Sequence, residues 1–227
     1  MCCKKDEKDG RKDACLAPGL IFSTFSFFVY LCSLIYLFTL QDLRLSDNDF
    51  TGVFPREVAD LTSLATLMAG GNSIGGNLPG VVGTQLTNLV VVRLHNNEFF
   101  GSLPYFASSK LEELHLDGNA FDSNIVIPKS TLLRELYLGK NLLKGTIPAT
   151  IASLAPRLEL LDLSSNQLSG VIPTASFSQL TKAKDIRLDD NKDLSGDVDG
   201  VCDALPDIAA NMRVDLSQVT CKCCNCC

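Results

Sequence analysis

The chain holds two histidines, His95 and His115, and both stand near residues that could do chemistry with them: Arg93, Asp117 and Tyr137. Those residue types permit three chemistries. A histidine beside a carboxylate is a general base with its orienter, as His95 would be with Asp117. Two imidazoles begin a metal site. Arg, Tyr and His are also favoured anchors where a protein or peptide docks. The first chemistry lacks a nucleophile and the signature of a water-excluding pocket, so no catalytic residue is assigned. The second lacks an evident third ligand, so no metal site and no cofactor are assigned. Recognition through Arg93, His95, His115, Asp117 and Tyr137 is the reading we take forward.

The other reactive residues are ten cysteines, and most avoid the middle of the chain. Cys2, Cys3, Cys15 and Cys32 precede it; Cys202, Cys221, Cys223, Cys224, Cys226 and Cys227 follow it. Cys202 and Cys221 bracket a strand-like stretch, Met212 to Leu216, and are the expected cap disulfide. The closing Cys-x-Cys-Cys-x-Cys-Cys also resembles a metallothionein-like thiolate cluster. An oxidising compartment selects disulfides, and a cytosolic one selects metal.

Residues twenty or more apart act together only if a repeating architecture stacks them. One phrase provides it, stated best by Leu133-x-x-Leu136-x-Leu138-x-x-Asn141-x-Leu143-x-Gly145-x-Ile147-Pro148. Its Asn recurs at Asn48, Asn72, Asn97, Asn119, Asn141, Asn166 and Asn191, spaced 22 to 25 residues apart. Leu-x-Leu marks a short strand with two inward leucines, because side chains alternate along a strand. The residue between them faces out, and that column reads Arg44, Met68, Arg93, His115, Tyr137, Asp162, Arg187. Two residues on, the column reads Ser46, Gly70, His95, Asp117, Gly139, Ser164, Asp189. With strands ~4.8 Å apart, His95 is expected beside Asp117, and Arg93 beside His115 and Tyr137. The Asn amide is expected to satisfy backbone groups on its own coil and the next. The closing Pro (Pro55, Pro79, Pro104, Pro148, Pro173) is expected to stop a helix from continuing. Two places strain the pattern: Ser123 to Pro128 replaces Gly-x-Ile-Pro, and Lys192-Asp193 adds a residue after Asn191. Both predict irregularity on the flank with an unbroken interior.

Repeats of 20–29 residues with this phrase are identified as leucine-rich repeats. The extended Leu-x-Gly-x-Ile-Pro form resembles the plant-type subclass found in receptor-like proteins, receptor-like kinases and polygalacturonase-inhibiting proteins. The resemblance covers about residues 40–200. It implies an α/β solenoid: a right-handed array of about seven coils with a parallel β-sheet on its concave face. In that family exposed strand positions bind peptides or proteins. The chain departs from the family in having no paired-cysteine N-terminal cap and no kinase domain after the array. Its Cys-rich end resembles those of microalgal repeat proteins.

Charge and hydropathy bound the rest. The formal charge is −6, and a nucleic-acid partner would require a basic stripe, so none is expected. Residues 1–13 read as a polar tail with five Lys/Arg, and residues 14–39 as an apolar helix preceding the array. The run is long enough to cross a bilayer, and the basic residues before it place the repeats outside. The competing reading is a solenoid cap, since Leu31, Leu34, Leu37, Leu40 and Leu43 recur every third residue. Residues 201–227 read as a Cys-rich C-terminal cap. The strand face spans about 500 Å², below the ~800 Å² each partner gives a standard interface. It therefore suits a peptide, or a protein ligand with a co-receptor. These readings together predict a non-enzymatic recognition module, membrane-anchored through residues 14–39 at the plasma membrane or a secretory-pathway membrane. The alternatives are a secreted inhibitor of a cell-wall hydrolase and a structural surface protein.

Overall fold

Residues 2–5, 12–15, 39–205, 211–215, 217 and 219–222 are described by the structure, a computed structural model. Most of the apolar run 14–39 lies outside them, as do Cys223, Cys224, Cys226 and Cys227. Among the described residues no helix is long and apolar enough to cross a membrane.

Each Leu-x-Leu folds as expected, with its leucines turned inward. The middle residues Leu43, Leu67, Val92, Leu114, Leu136, Leu161 and Ile186 are all buried. Their strands are β3 (Asp42–Arg44), β5 (Thr66–Met68), β7 (Val91–Arg93), β9 (Glu113–His115), β11 (Glu135–Tyr137), β13 (Leu160–Asp162) and β15 (Asp185–Arg187). With β17 (Met212–Arg213) they form one parallel ladder in sequence order. At its N-terminal edge the polar stretch contributes two strands, β1 (Cys2–Lys5) and β2 (Lys12–Cys15). These pair antiparallel with each other, and β2 pairs parallel with β3.

The returning side of each coil is short. It carries a 3₁₀ turn at Arg56–Asp60 and helices α1 (Gly80–Gln85), α2 (Ile151–Leu154), α3 (Thr174–Phe177) and α4 (Asp199–Ala204). Pro55, Pro79 and Pro173 stand at the entry to such turns, not at their ends. Here the structure corrects the sequence reading. A fixed φ near −65° pre-organises the chain for helix entry, where the missing N–H costs nothing.

Between the two sides lies one continuous apolar interior running from Leu40 to Val219. Phe99 is its central plate, stacked on Phe121 at 6.2 Å and edge-on to Phe54 at 5.9 Å. The asparagines run alongside. Asn141 Nδ2 donates to Leu138 O and Gly139 O on its own coil and to Leu116 O on the preceding one. Its Oδ1 accepts from Phe121 N–H, again on the preceding coil. Asn72, Asn97, Asn119, Asn166 and Asn191 repeat the pattern. The sequence reading had the direction reversed. Each amide serves the coil before it, because the stagger of the parallel strands carries its side chain back over that coil's turn. Asn48 bonds to Leu45 O and Ser46 O of its own coil and is exposed. The residue before each Asn takes a left-handed conformation: Asp47, Gly71, Asn96, Gly118, Lys140, Ser165 and Asp190 have φ between 50° and 68°.

A second set of strands flanks the first. β4 (Thr51–Val53), β6 (Ser73–Asn77), β8 (Glu98–Gly101) and β10 (Ala120–Phe121) form one parallel sheet. β12 (Lys144–Gly145), β14 (Gln167–Val171), β16 (Asp193–Asp197) and β18 (Val219–Thr220) form another. Among the described residues no ladder joins the two; an isolated bridge, Asn124–Lys144, and the hydrogen bonds from Leu142 N–H to Phe121 O and Lys144 N–H to Ser123 O link them. The interruption falls where Ser123 to Pro128 replaces the usual phrase, while the concave ladder passes it unbroken. The extra residue after Asn191 is taken up in a turn that Leu194 N–H closes onto Asn191 O.

At the C-terminal end Cys202 is buried on α4, and Cys221 packs at the edge of the interior just after β18. Both are disulfide-bonded.

Candidate functional site

The concave ladder puts the expected column into register residue by residue. Arg44 pairs with Met68, Met68 with Arg93, Arg93 with His115, His115 with Tyr137, Tyr137 with Asp162 and Asp162 with Arg187. These side chains share one face because each closes a three-residue strand whose central residue points into the core. The His115 and Tyr137 rings meet edge-to-face at 4.5 Å, and His95 lies 6.4 Å from His115. Arg93, His95, His115 and Tyr137 therefore form one continuous surface, with Asp117 at its margin.

The structure adds a third column that the sequence reading passed over. On the same face, two residues earlier in each strand, stand Asp42, Thr66, Val91, Glu113, Glu135, Leu160 and Asp185. Its acids hold the bases of the first column. Arg93 donates from Nε and Nη2 to Glu113 Oε2 at 3.0 and 2.6 Å. His115 Nε2 meets Glu135 Oε2 at 3.0 Å. Arg187 donates twice to Asp185 Oδ2 and lies 3.8 Å from Asp162. The signal was available in sequence: residues i and i+2 of a strand share a face, so Glu113 had to accompany His115.

Burial sets the electrostatics of the patch. Desolvation lowers the pKa of His115 below its usual value against the opposing pull of the Glu135 hydrogen bond. The same effect raises Asp117 and Tyr137. His95 lies near enough to Asp117 to act on its carboxylate through charge, while the Nδ1 of His95 is buried without a hydrogen-bond partner. The His95 ring packs over Gly70, where an added Cβ would fall 2.5 Å from the imidazole. Glycine at position 70 is thus what lets the ring lie flat on the sheet.

Parallel strands, an inward leucine pair, an asparagine ladder and a polar concave face together define a leucine-rich repeat solenoid. The Leucine Rich Repeat family model matches residues 39–61, 132–154 and 157–179. Receptor-like protein 35 of Arabidopsis thaliana is 32% identical over 152 residues, covering 65% of this chain and 15% of that protein. Receptor-like protein 6 of the same plant is 33% identical over 164 residues, covering 71% of this chain and 15% of that one. Among solved structures, the ectodomain of the Arabidopsis receptor kinase HAESA, in complex with an N-terminally extended IDA peptide hormone, superposes with a TM-score of 0.68. It is 30% identical and covers 80% of this chain and 30% of that one. The chain carries leucine-rich repeats and is similar over that array to plant receptor-like proteins. It spans about a sixth of the length of the curated relatives it matches.

Proposed function

We propose that this chain is a non-enzymatic recognition module whose concave face binds a peptide or protein ligand, with Arg93, His95, His115, Asp117 and Tyr137 as the contact patch. The observation that carries the reading is the register of Arg93, His115 and Tyr137 on adjacent strands. It presents a cation, an imidazole and a phenol on one rigid surface, the residue types favoured as interface anchors. The HAESA ectodomain, similar in fold and 30% identical, is known in complex with a peptide hormone and a co-receptor. A peptide ligand and a co-receptor are the partners we infer here. The test is the triple replacement of Arg93, His115 and Tyr137 by Ala in the full chain. A ligand selected on the native chain from a peptide library is expected to lose ~100-fold or more in affinity, since anchor truncations cost ~2 kcal/mol or more each. Unchanged affinity removes the patch from the reading.

On location, we infer an extracellular array in which Cys202 and Cys221 are bonded to each other and close its C-terminal end. Residues 14–39 are its membrane anchor on the hydropathy argument. One observation favours a second reading of that segment. β2 and β3, which stand on either side of residues 16–38, pair directly in one sheet, whereas a single crossing would put them on opposite sides of a membrane. In that reading the segment caps the array, and the module is secreted. Carbonate extraction separates the two: retention in the membrane pellet supports the anchor, and release supports the cap.

A further inference from the structure

We propose that Glu113, His115 and Glu135 form a site for a divalent transition cation of the zinc type on the concave face. Each side chain offers one ligand atom, and the three atoms lie within 4.8 Å of one another. The backbone brings them together. Glu113 and His115 are i and i+2 on β9 and share a face, and Glu135 on β11 stands opposite Glu113 in the ladder.

The geometry is close to what a cation needs. Bonds of 2.0–2.1 Å in a tetrahedral site set the ligand atoms about 3.3 Å apart. The His115–Glu135 edge already measures 3.0 Å, and the two edges to Glu113 close to within 4.8 Å. Arg93 makes two hydrogen bonds to Glu113 Oε2. Guanidinium and cation thus compete for one carboxylate oxygen. One imidazole and two carboxylates, with no sulfur, suit zinc better than a soft monovalent ion, and the imidazole disfavours calcium and magnesium. Three protein ligands leave a fourth position open to water or to a ligand group. The side chains are 25%, 16% and 29% exposed, so a hydrated ion reaches them directly. The site asks nothing of the recognition reading and can fail without it.

The experiment is calorimetric titration of the full chain with zinc chloride, paired with cobalt(II) absorption spectra. The expected result is one ion per chain at this site. Its affinity falls at least ~10-fold in His115→Gln and in Glu135→Gln, the scale at which even groups one shell out from a metal act. It rises about tenfold in Arg93→Gln, because a competing positive charge on the Glu113 carboxylate is removed. A rise cannot come from misfolding, so this variant keeps the test sound if the other two are destabilised. The cobalt form shows d–d bands without thiolate charge-transfer absorption. No binding by the native chain, affinity unchanged across the three variants, or a thiolate spectrum that moves the ion to the C-terminal cysteines would each overturn the proposal.

Discussion

Two polar ladders climb this molecule side by side, and they are built to opposite specifications. The asparagine ladder is neutral, at least half-buried from Asn72 onward and bonded to the backbone on both coils: Asn141 makes three donor contacts and accepts one. The concave ladder is half-exposed, charged and unsaturated. It pairs Arg93 with Glu113 and His115 with Glu135, yet leaves His95 Nδ1 without a partner. The first ladder spends both of its N–H donors on the backbone and is turned away from any ligand. The second contributes little to stability, since exposed ion pairs give ~0–1 kcal/mol, and keeps its capacity for something outside. Structure and the proposed recognition are thus divided between two columns separated by a few residues in each coil.

The largest effect should come from emptying the inner ladder. Asn141→Ala orphans the buried Phe121 N–H, and it removes one of two amide donors from each of the Leu116 and Leu138 carbonyls, which keep Asn119 and Asn166. At ~1–3 kcal/mol for the one unsatisfied donor and ~1 kcal/mol for each of two further hydrogen bonds lost, the loss should be roughly 3–5 kcal/mol, read as a fall in denaturant midpoint. Asn48→Ala removes the same side chain where it is exposed and serves one coil only. It should cost about 1 kcal/mol. Equal losses at the two positions would break the contrast between interior and edge.

A smaller effect concerns the outer ladder and pH. Burial holds the His115 pKa below 6.5 in the folded chain. The unfolded chain therefore takes up the proton first as pH falls, and stability declines from about pH 6.5 downward. His115→Gln should flatten the fall in thermal midpoint below pH 6.5. Asp117, raised by burial, acts in the opposite sense at lower pH and is still present in the variant. An identical pH profile for the two proteins would show that His115 is not held neutral by its surroundings.

The smallest expected change is a gain. Lys140 sits at φ 53°, in the left-handed position before Asn141, which Gly71 and Gly118 occupy without strain in other coils. Lys140→Gly should stabilise by up to ~1 kcal/mol, as relief of the Cβ clash outweighs the added chain entropy. A loss would mean that the Lys140 side chain contributes more than its backbone costs.

The period, the inward leucines, the ladder of asparagines and the outward column were all legible in sequence. Each follows from side-chain alternation along a strand and from a repeat that keeps its phase, so Arg93, His115 and Tyr137 could be placed side by side beforehand. The coordinates decided what depends on stagger and side-chain direction between coils. They turned the asparagine bonds toward the preceding coil, brought the chain back to the sheet at Lys12–Cys15, and split the flanking sheet near Asn124. They also put Glu113 against Arg93 and Glu135 against His115. A sequence states which residues share a face. Which neighbour a charged side chain reaches is settled only when the strands are packed and their offset is fixed.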